Sequence, residues 1–169
     1  MMKATSALQR TLGLLLGLVV VFVLQTMQVT GQDKGANKPQ EKPLYERLGG
    51  VYAIATVVDD FIERLLVNDV LNANPAIEEA RLRVPKAGLK FQVTSLVCQV
   101  TGGPQQYTGR TMKDSHKHLN ITEKEWQAMA SDFKKSLDTF KVPEKEQQEL
   151  FAIVGSTKGD IVMTPPVKR

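Results

Sequence analysis

Apolar residues in this chain recur every three or four positions between breaks of glycine, proline and asparagine, and no segment alternates with a period of two for long. An α-helix turns once in 3.6 residues, so such a stripe covers one helix face, whereas a half-buried strand needs strict alternation. The pattern predicts an all-α domain with no sheet. From Val51 the positions Ile54, Val58, Phe61, Ile62 and Leu65 mark a long amphipathic helix that stops near Asn68, after which Asn72, Asn74 and Pro75 read as a loop reaching Pro85. Pro85 then opens a helix with Leu89, Val93, Leu96, Val97 and Val100 as its stripe, ended by Gly102, Gly103 and Pro104. Thr122 and Glu125 have the spacing of a capping box, and Trp126, Met129, Ala130, Phe133, Leu137 and Phe140 follow on one face. Pro143 opens the last helix, with Leu150, Ile153, Val154, Thr157 and Ile161 inward.

The segment 1–31 stands outside this fold. Lys3 and Arg10 precede an unbroken apolar run from Leu12 to Leu24, and Val29 and Gly31 supply the small residues of a cleavage site, which is the layout of a signal peptide. A run of that length falls short of the ~20 residues that span a bilayer as a helix. The alternative is an uncleaved anchor reaching Val29, and only then does a membrane become a partner; both readings put the domain outside the cytoplasm. Residues 32–42 carry three lysines and no large apolar side chain that could cover a core, so they read as a flexible linker. The folded domain spans 43–162, and 163–169, with Pro165 and Pro166, forms a disordered tail.

The formal net charge is +4, and basic residues interleave with acids, as in Glu144, Lys145 and Glu146, rather than forming a stripe with aromatics between them. Nucleic acid is therefore not an expected partner. One cysteine, Cys98, and two histidines, His116 and His118, exclude a closed zinc site of four Cys or His ligands. Cys98 lies in a helical stripe as a small buried residue, and c-type haem attachment through Cys-x-x-Cys-His is ruled out. No phosphate-binding loop is present, and Asp114, Ser115 and His116 are too close in sequence to converge as a triad.

Both histidines fall in the stretch Gly102 to Thr122. Thr108, Gly109 and Thr111 offer turn and cap chemistry, so Met112 to His118 can form a short helix ended by Asn120. Met112 and His116 share one face of it, whereas His118, two residues on, points nearly the other way. His116 is either a packing or solvated histidine or a metal ligand. A single histidine suffices for haem, because the macrocycle supplies four nitrogens.

Gly102-Gly103-Pro104, Tyr107-Thr108-Gly109-Arg110, Met112-Lys113, His116 and Ile121-Thr122 together resemble the signature of group I truncated haemoglobins. Leu44-Tyr45-Glu46-Arg47-Leu48-Gly49-Gly50 is similar to that family's N-terminal motif, and the resemblance runs from about Pro43 to Val162. It implies a truncated globin fold, a two-over-two helical sandwich, with haem b as cofactor and a diatomic gas as ligand. His116 takes the place of the proximal iron ligand, and Tyr107, Met112, Ile121 and Trp126 fall at positions lining the haem pocket. Phe61 and Ile62, with Leu89 and Val93, take the distal side.

The distal side departs from the family pattern. Where the family usually carries a tyrosine that donates to bound oxygen, the residue here is Ile62, and Leu89 and Val93 stand where polar partners are common. An aromatic wedge after the second helix has no equivalent among Asn72, Asn74 and Pro75. A charge-assisted hydrogen bond of ~1.5–3 kcal/mol is thereby absent from that position. Lys90, Gln92 and Tyr52 are the candidate replacements. The resemblance implies an exported globin that binds oxygen or another diatomic gas; the alternatives are a haem enzyme that turns over nitric oxide or peroxide, with an electron donor the sequence does not identify, and a globin-shaped interaction domain without haem.

Overall fold

A computed structural model describes residues 41–163. The segment read as a signal peptide, nearly all of that read as a linker, and the residues after Met163 lie outside the described residues. Within them the chain is helical, with no strand. The first turn, α1 (Leu44–Arg47), is closed by Gly49 and Gly50, whose φ angles of +89° and +75° suit residues without a Cβ. Next comes α2 (Gly50–Val67), the long amphipathic helix expected from the apolar period, with Ile54, Val58 and Ile62 buried.

A short turn, α3 (Asp69–Asn72), leads to α4 (Pro75–Arg83), which replaces the loop expected between Asn72 and Pro85. The residues read as loop markers are a helix start: the Asn74 side chain accepts from Ala76 N at 2.9 Å, and Pro75 sits in the first turn, where its missing N–H costs nothing. Glu78 near the start and Arg81 and Arg83 near the end match the helix dipole. No residue of α4 is buried, so polar bonds hold it. Arg81 donates to Leu65 O at 2.7 Å, satisfying a carbonyl at the end of α2.

The remaining helices are α5 (Lys86–Val100), α6 (Met112–His116), α7 (Glu123–Thr139), α8 (Glu144–Ser156) and α9 (Lys158–Ile161). The stripe expected to run unbroken to Ile161 is interrupted at Thr157, whose hydroxyl donates to Val154 O at 2.7 Å. Two helix pairs result. In one, α2 packs along α5 around Ile54, Val58, Ile62 and Cys98; in the other, Phe133 and Leu137 of α7 meet Leu150 and Phe151 of α8. Phe61 joins the pairs: its ring lies 5.2 Å from that of Phe133, which lies 5.2 Å from Phe151. Both contacts are tilted, as aromatic quadrupoles prefer. Ser136, fully buried, donates to Asp60 at 2.6 Å and adds a polar tie between α2 and α7.

The break after α5 is sterically demanded. Gly103 N donates to Cys98 O at 2.7 Å, and a Cβ on Gly103 would lie 2.5 Å from the Tyr45 ring and 2.8 Å from Cys98 O. Only glycine lets the chain leave α5 this close to α1.

The capping box of α7 forms as its spacing predicts, and it does more than cap. Glu125 Oε2 accepts from Thr122 N at 2.6 Å and from the Thr122 hydroxyl at 2.7 Å. Asn74 Nδ2 donates to Glu125 Oε1 at 2.6 Å and to Leu119 O at 2.8 Å, fastening α4 to the corner between α6 and α7. Burial pushes the Glu125 carboxyl up, but the Thr122 and Asn74 donors outweigh it and hold the group below its ordinary value. A depressed carboxyl stabilises the fold above its unfolded pKa and loses that contribution as pH falls through the folded value. Glu125→Gln is thus expected to cost ~1–2 kcal/mol at neutral pH and to flatten the fall in stability on acidification. Urea unfolding at pH 7 and pH 4 measures both; equal losses at the two pH values would show that the carboxylate charge is not what Thr122 and Asn74 hold.

Candidate functional site

Thr111 starts α6 by accepting from Asp114 N at 3.0 Å, and the helix stops after one turn at His116, two residues short of the His118 expected from sequence. Asn120, at φ +50°, reverses the chain into the α7 cap. The single turn fixes His116. Its Nδ1 lies 2.7 Å from Met112 O, the carbonyl four residues back. A carbonyl only accepts, so the proton of the neutral ring sits on Nδ1 and the lone pair on Nε2. This is the preparation a metal-ligating imidazole needs: one nitrogen held by a backbone partner, the other basic and available. His116 is half-buried, whereas His118 is exposed.

The other residues read from this stretch differ in burial. Met112 and Tyr107 are half-buried. Ile121 and Trp126 are each 7 % exposed, yet they belong to neither core cluster, so their burial serves the corner beyond α6. The Tyr107 hydroxyl donates to Arg110 O at 2.6 Å and shapes the approach to α6.

The second group gathers between α2 and α5. Ile62, 2 % exposed, packs with Ile54, Val58 and Cys98, and Phe61, Leu89 and Val93 lie against that cluster. Phe61 also carries the ring contact to Phe133, so it is as much core as lining. The two groups are linked by a hydrogen bond from Tyr107 N to Gln99 Oε1 of α5, at 2.6 Å. No proton-donating side chain stands among Ile62, Leu89 and Val93.

Two of the three polar candidates for that role lie elsewhere. Tyr52 is 87 % exposed, in an open groove with Asp59, Asp60, Glu63 and Phe140. Lys90 donates to Asp59 and Glu63, each at 2.5 Å, and the hydrogen bond to Asp59, then that to Glu63, raises its pKa and keeps it an ammonium. Gln92 is different: its Oε1 is buried with no hydrogen-bond partner, and so is Oε1 of Gln105 in the loop before Tyr107. Gln92 was named from the sequence and Gln105 was not, and the unpartnered state of both was hidden there, because an orphaned atom is defined by neighbours rather than by its own residue type. The Met112 carbonyl was likewise missed, although the four-residue spacing to His116 was its signal.

Among the described residues no three His, Cys, Asp or Glu side chains converge to hold a bare metal ion. A metal at His116 must therefore bring ligands with it. A half-buried imidazole with Nδ1 tied to a backbone carbonyl leaves Nε2 for a metal that carries its further ligands with it, as a macrocycle does.

The profile of the bacterial-like globin family matches residues 43–163. The chain is 31 % identical over 117 residues to the group 1 truncated hemoglobin of Synechocystis, covering 67 % of this chain and 90 % of that protein. Its fold is similar to that of the truncated hemoglobin of Tetrahymena pyriformis in the Fe(III) form, with a TM-score of 0.61 at 22 % identity over 73 % of this chain and all of the other. The 2/2 hemoglobin of Synechococcus, solved in the cyanomet state with covalently attached heme, matches with a TM-score of 0.60 at 24 % identity, over 72 % of this chain and 98 % of the other. Two helix pairs, one fixed histidine and a profile match across the whole folded region lead to one conclusion: the chain belongs to the bacterial-like globin family, among the group 1 truncated haemoglobins.

Proposed function

We propose that this chain binds haem b through Nε2 of His116 and takes up oxygen or another diatomic gas at the opposite face. The observation that carries this reading is the 2.7 Å bond from His116 Nδ1 to Met112 O, which leaves Nε2 as the basic nitrogen. When bound, the haem iron supplies an open coordination position for a small gas. The protein's part is to orient and to exclude water. Met112 O sets the imidazole plane, Ile121 and Trp126 are buried at the corner after α6, and Ile62, Leu89 and Val93 offer apolar surface on the α2–α5 side. The basic and apolar run before Gln25 supports an exported domain.

Hemin titrated into the purified full chain is expected to give a Soret band saturating at one haem per chain. Absence of uptake would overturn the proposal and favour a globin-shaped interaction domain instead.

A further inference from the structure

We propose that the elbow between α4 and α5 is a docking face for an anionic lipid bilayer. The inference is independent of the haem reading. The stretch from Arg81 to Phe91 holds four basic residues and no acid. Its apolar side chains divide in two. Leu89 packs against the cluster of Ile54, Val58 and Ile62, whereas Phe91, two residues on, stands on the opposite face of α5 and is 65 % exposed. Ala87, one turn before Phe91, shares that outer face, and Leu82 and Val84 lead into it at 85 % and 47 % exposure. No residue of α4 is buried, so the described residues leave this side of the elbow uncovered.

The charges around the patch decide what covers it. Of the four basic residues, Arg81 donates to Leu65 O and Lys90 to Asp59 and Glu63, so both are turned toward α2. Arg83 and Lys86 stay largely exposed, on either side of Val84, and their partners Glu79 and Glu63 are exposed as well. Exposed pairs of this kind contribute little and give way readily to another anion. Long basic side chains lay their apolar stems along hydrocarbon while their heads reach the phosphates, so Leu82, Val84 and Phe91 can enter the interface with Arg83 and Lys86 at the headgroups. A second copy of the chain fits worse, because a two-fold contact on this face brings the two sets of Arg83 and Lys86 together. The apolar run from Leu12 to Leu24, whether signal peptide or anchor, brings the chain to a bilayer.

The test uses residues 32–169, which keep every residue of both core clusters and leave out the apolar run that would itself bind lipid. Vesicles of phosphatidylcholine and phosphatidylglycerol in equal parts are expected to carry this chain down on sedimentation, and vesicles of phosphatidylcholine alone to leave it in solution. Arg83→Gln combined with Lys86→Gln should weaken partitioning by on the order of twentyfold, since each basic residue near an anionic surface contributes about fivefold. Leu82→Ser combined with Phe91→Ser should weaken it at least as much and, both positions being exposed, leave thermal unfolding where it was. In Phe91→Trp the added indole should emit at shorter wavelength once the mixed vesicles are present. An unsubstituted chain that stays in solution, variants that sediment as it does, or an unmoved emission in the bound Phe91→Trp chain would overturn the proposal. So would self-association in solution that Leu82→Ser with Phe91→Ser abolishes, which gives the face to a second copy. Hemin uptake is measured without vesicles, so these outcomes leave the haem reading untouched.

Discussion

His116→Ala is expected to abolish the Soret spectrum of the hemin-loaded chain, or shift it to that of haem without a protein ligand, while His118→Ala leaves it unchanged. The asymmetry follows from geometry. His118 is exposed, beyond the end of α6, and no bond orients its ring; His116 is half-buried, with Nδ1 tied to Met112 O at 2.7 Å. Removing a hydrogen-bond partner of a metal ligand commonly costs ~10–100-fold in affinity, and removing the ligand itself should exceed that. The apoprotein should barely register the change, because the lost bond lies within one helical turn and the imidazole joins neither core cluster. Thermal unfolding of the variant without hemin checks that point. Added imidazole should then refill the vacated space and restore the spectrum. A His116→Ala spectrum identical to that of the unsubstituted chain would place the ligand elsewhere and undo the assignment.

What the sequence disclosed about this fold was local. Glycine pairs after Leu48 and before Pro104, the Thr122–Glu125 box and Pro143 act within four residues of themselves, so their structural effects were readable without knowing the fold. The helix α4 was missed for the opposite reason. Its nine residues bury nothing, so no apolar period announced it, and Asn74 and Pro75 punctuate loops and helix starts alike. Stripes also fail at helix ends: Val100 and Phe140 continue their apolar faces in sequence yet are 44 % and 41 % exposed, because a stripe gives the direction of a partner and not its length. Asp60, next to Asp59 in sequence, receives Ser136 and Arg64 between two helices, which no apolar period announces.

The candidate site was legible in one half. His116, Met112, Tyr107, Ile121 and Trp126 sit in one continuous stretch whose motif order carries the resemblance, and the structure ties His116 to Met112 within it. The other half is assembled across α2 and α5 from residues that also build the core. Periodicity cannot separate a side chain that touches a ligand from one that touches Phe133, as Phe61 does. For the same reason the sequence left Tyr52, Lys90 and Gln92 equivalent; only their neighbours distinguish a solvated tyrosine, a paired lysine and an unpaired amide.

Ile62→Tyr tests whether this apolar half faces the gas. Ile62 is 2 % exposed, against Cys98 and within the cluster that Leu89 and Val93 cover, so a phenol placed there brings a hydroxyl into a region with no other donor on α2. If the position looks onto the ligand, oxygen release should slow. A hydrogen bond to a polarised ligand of ~1.5–3 kcal/mol corresponds to roughly tenfold to a hundredfold in the rate. Overpacking works against it: the larger ring in a filled cluster costs ~1–3 kcal/mol of stability, which unfolding in urea would report separately from ligand release. Stopped-flow release rates of the unsubstituted chain and the variant measure the change. A folded, hemin-loaded Ile62→Tyr chain with an unchanged release rate would mean that Ile62 faces the core and not the ligand.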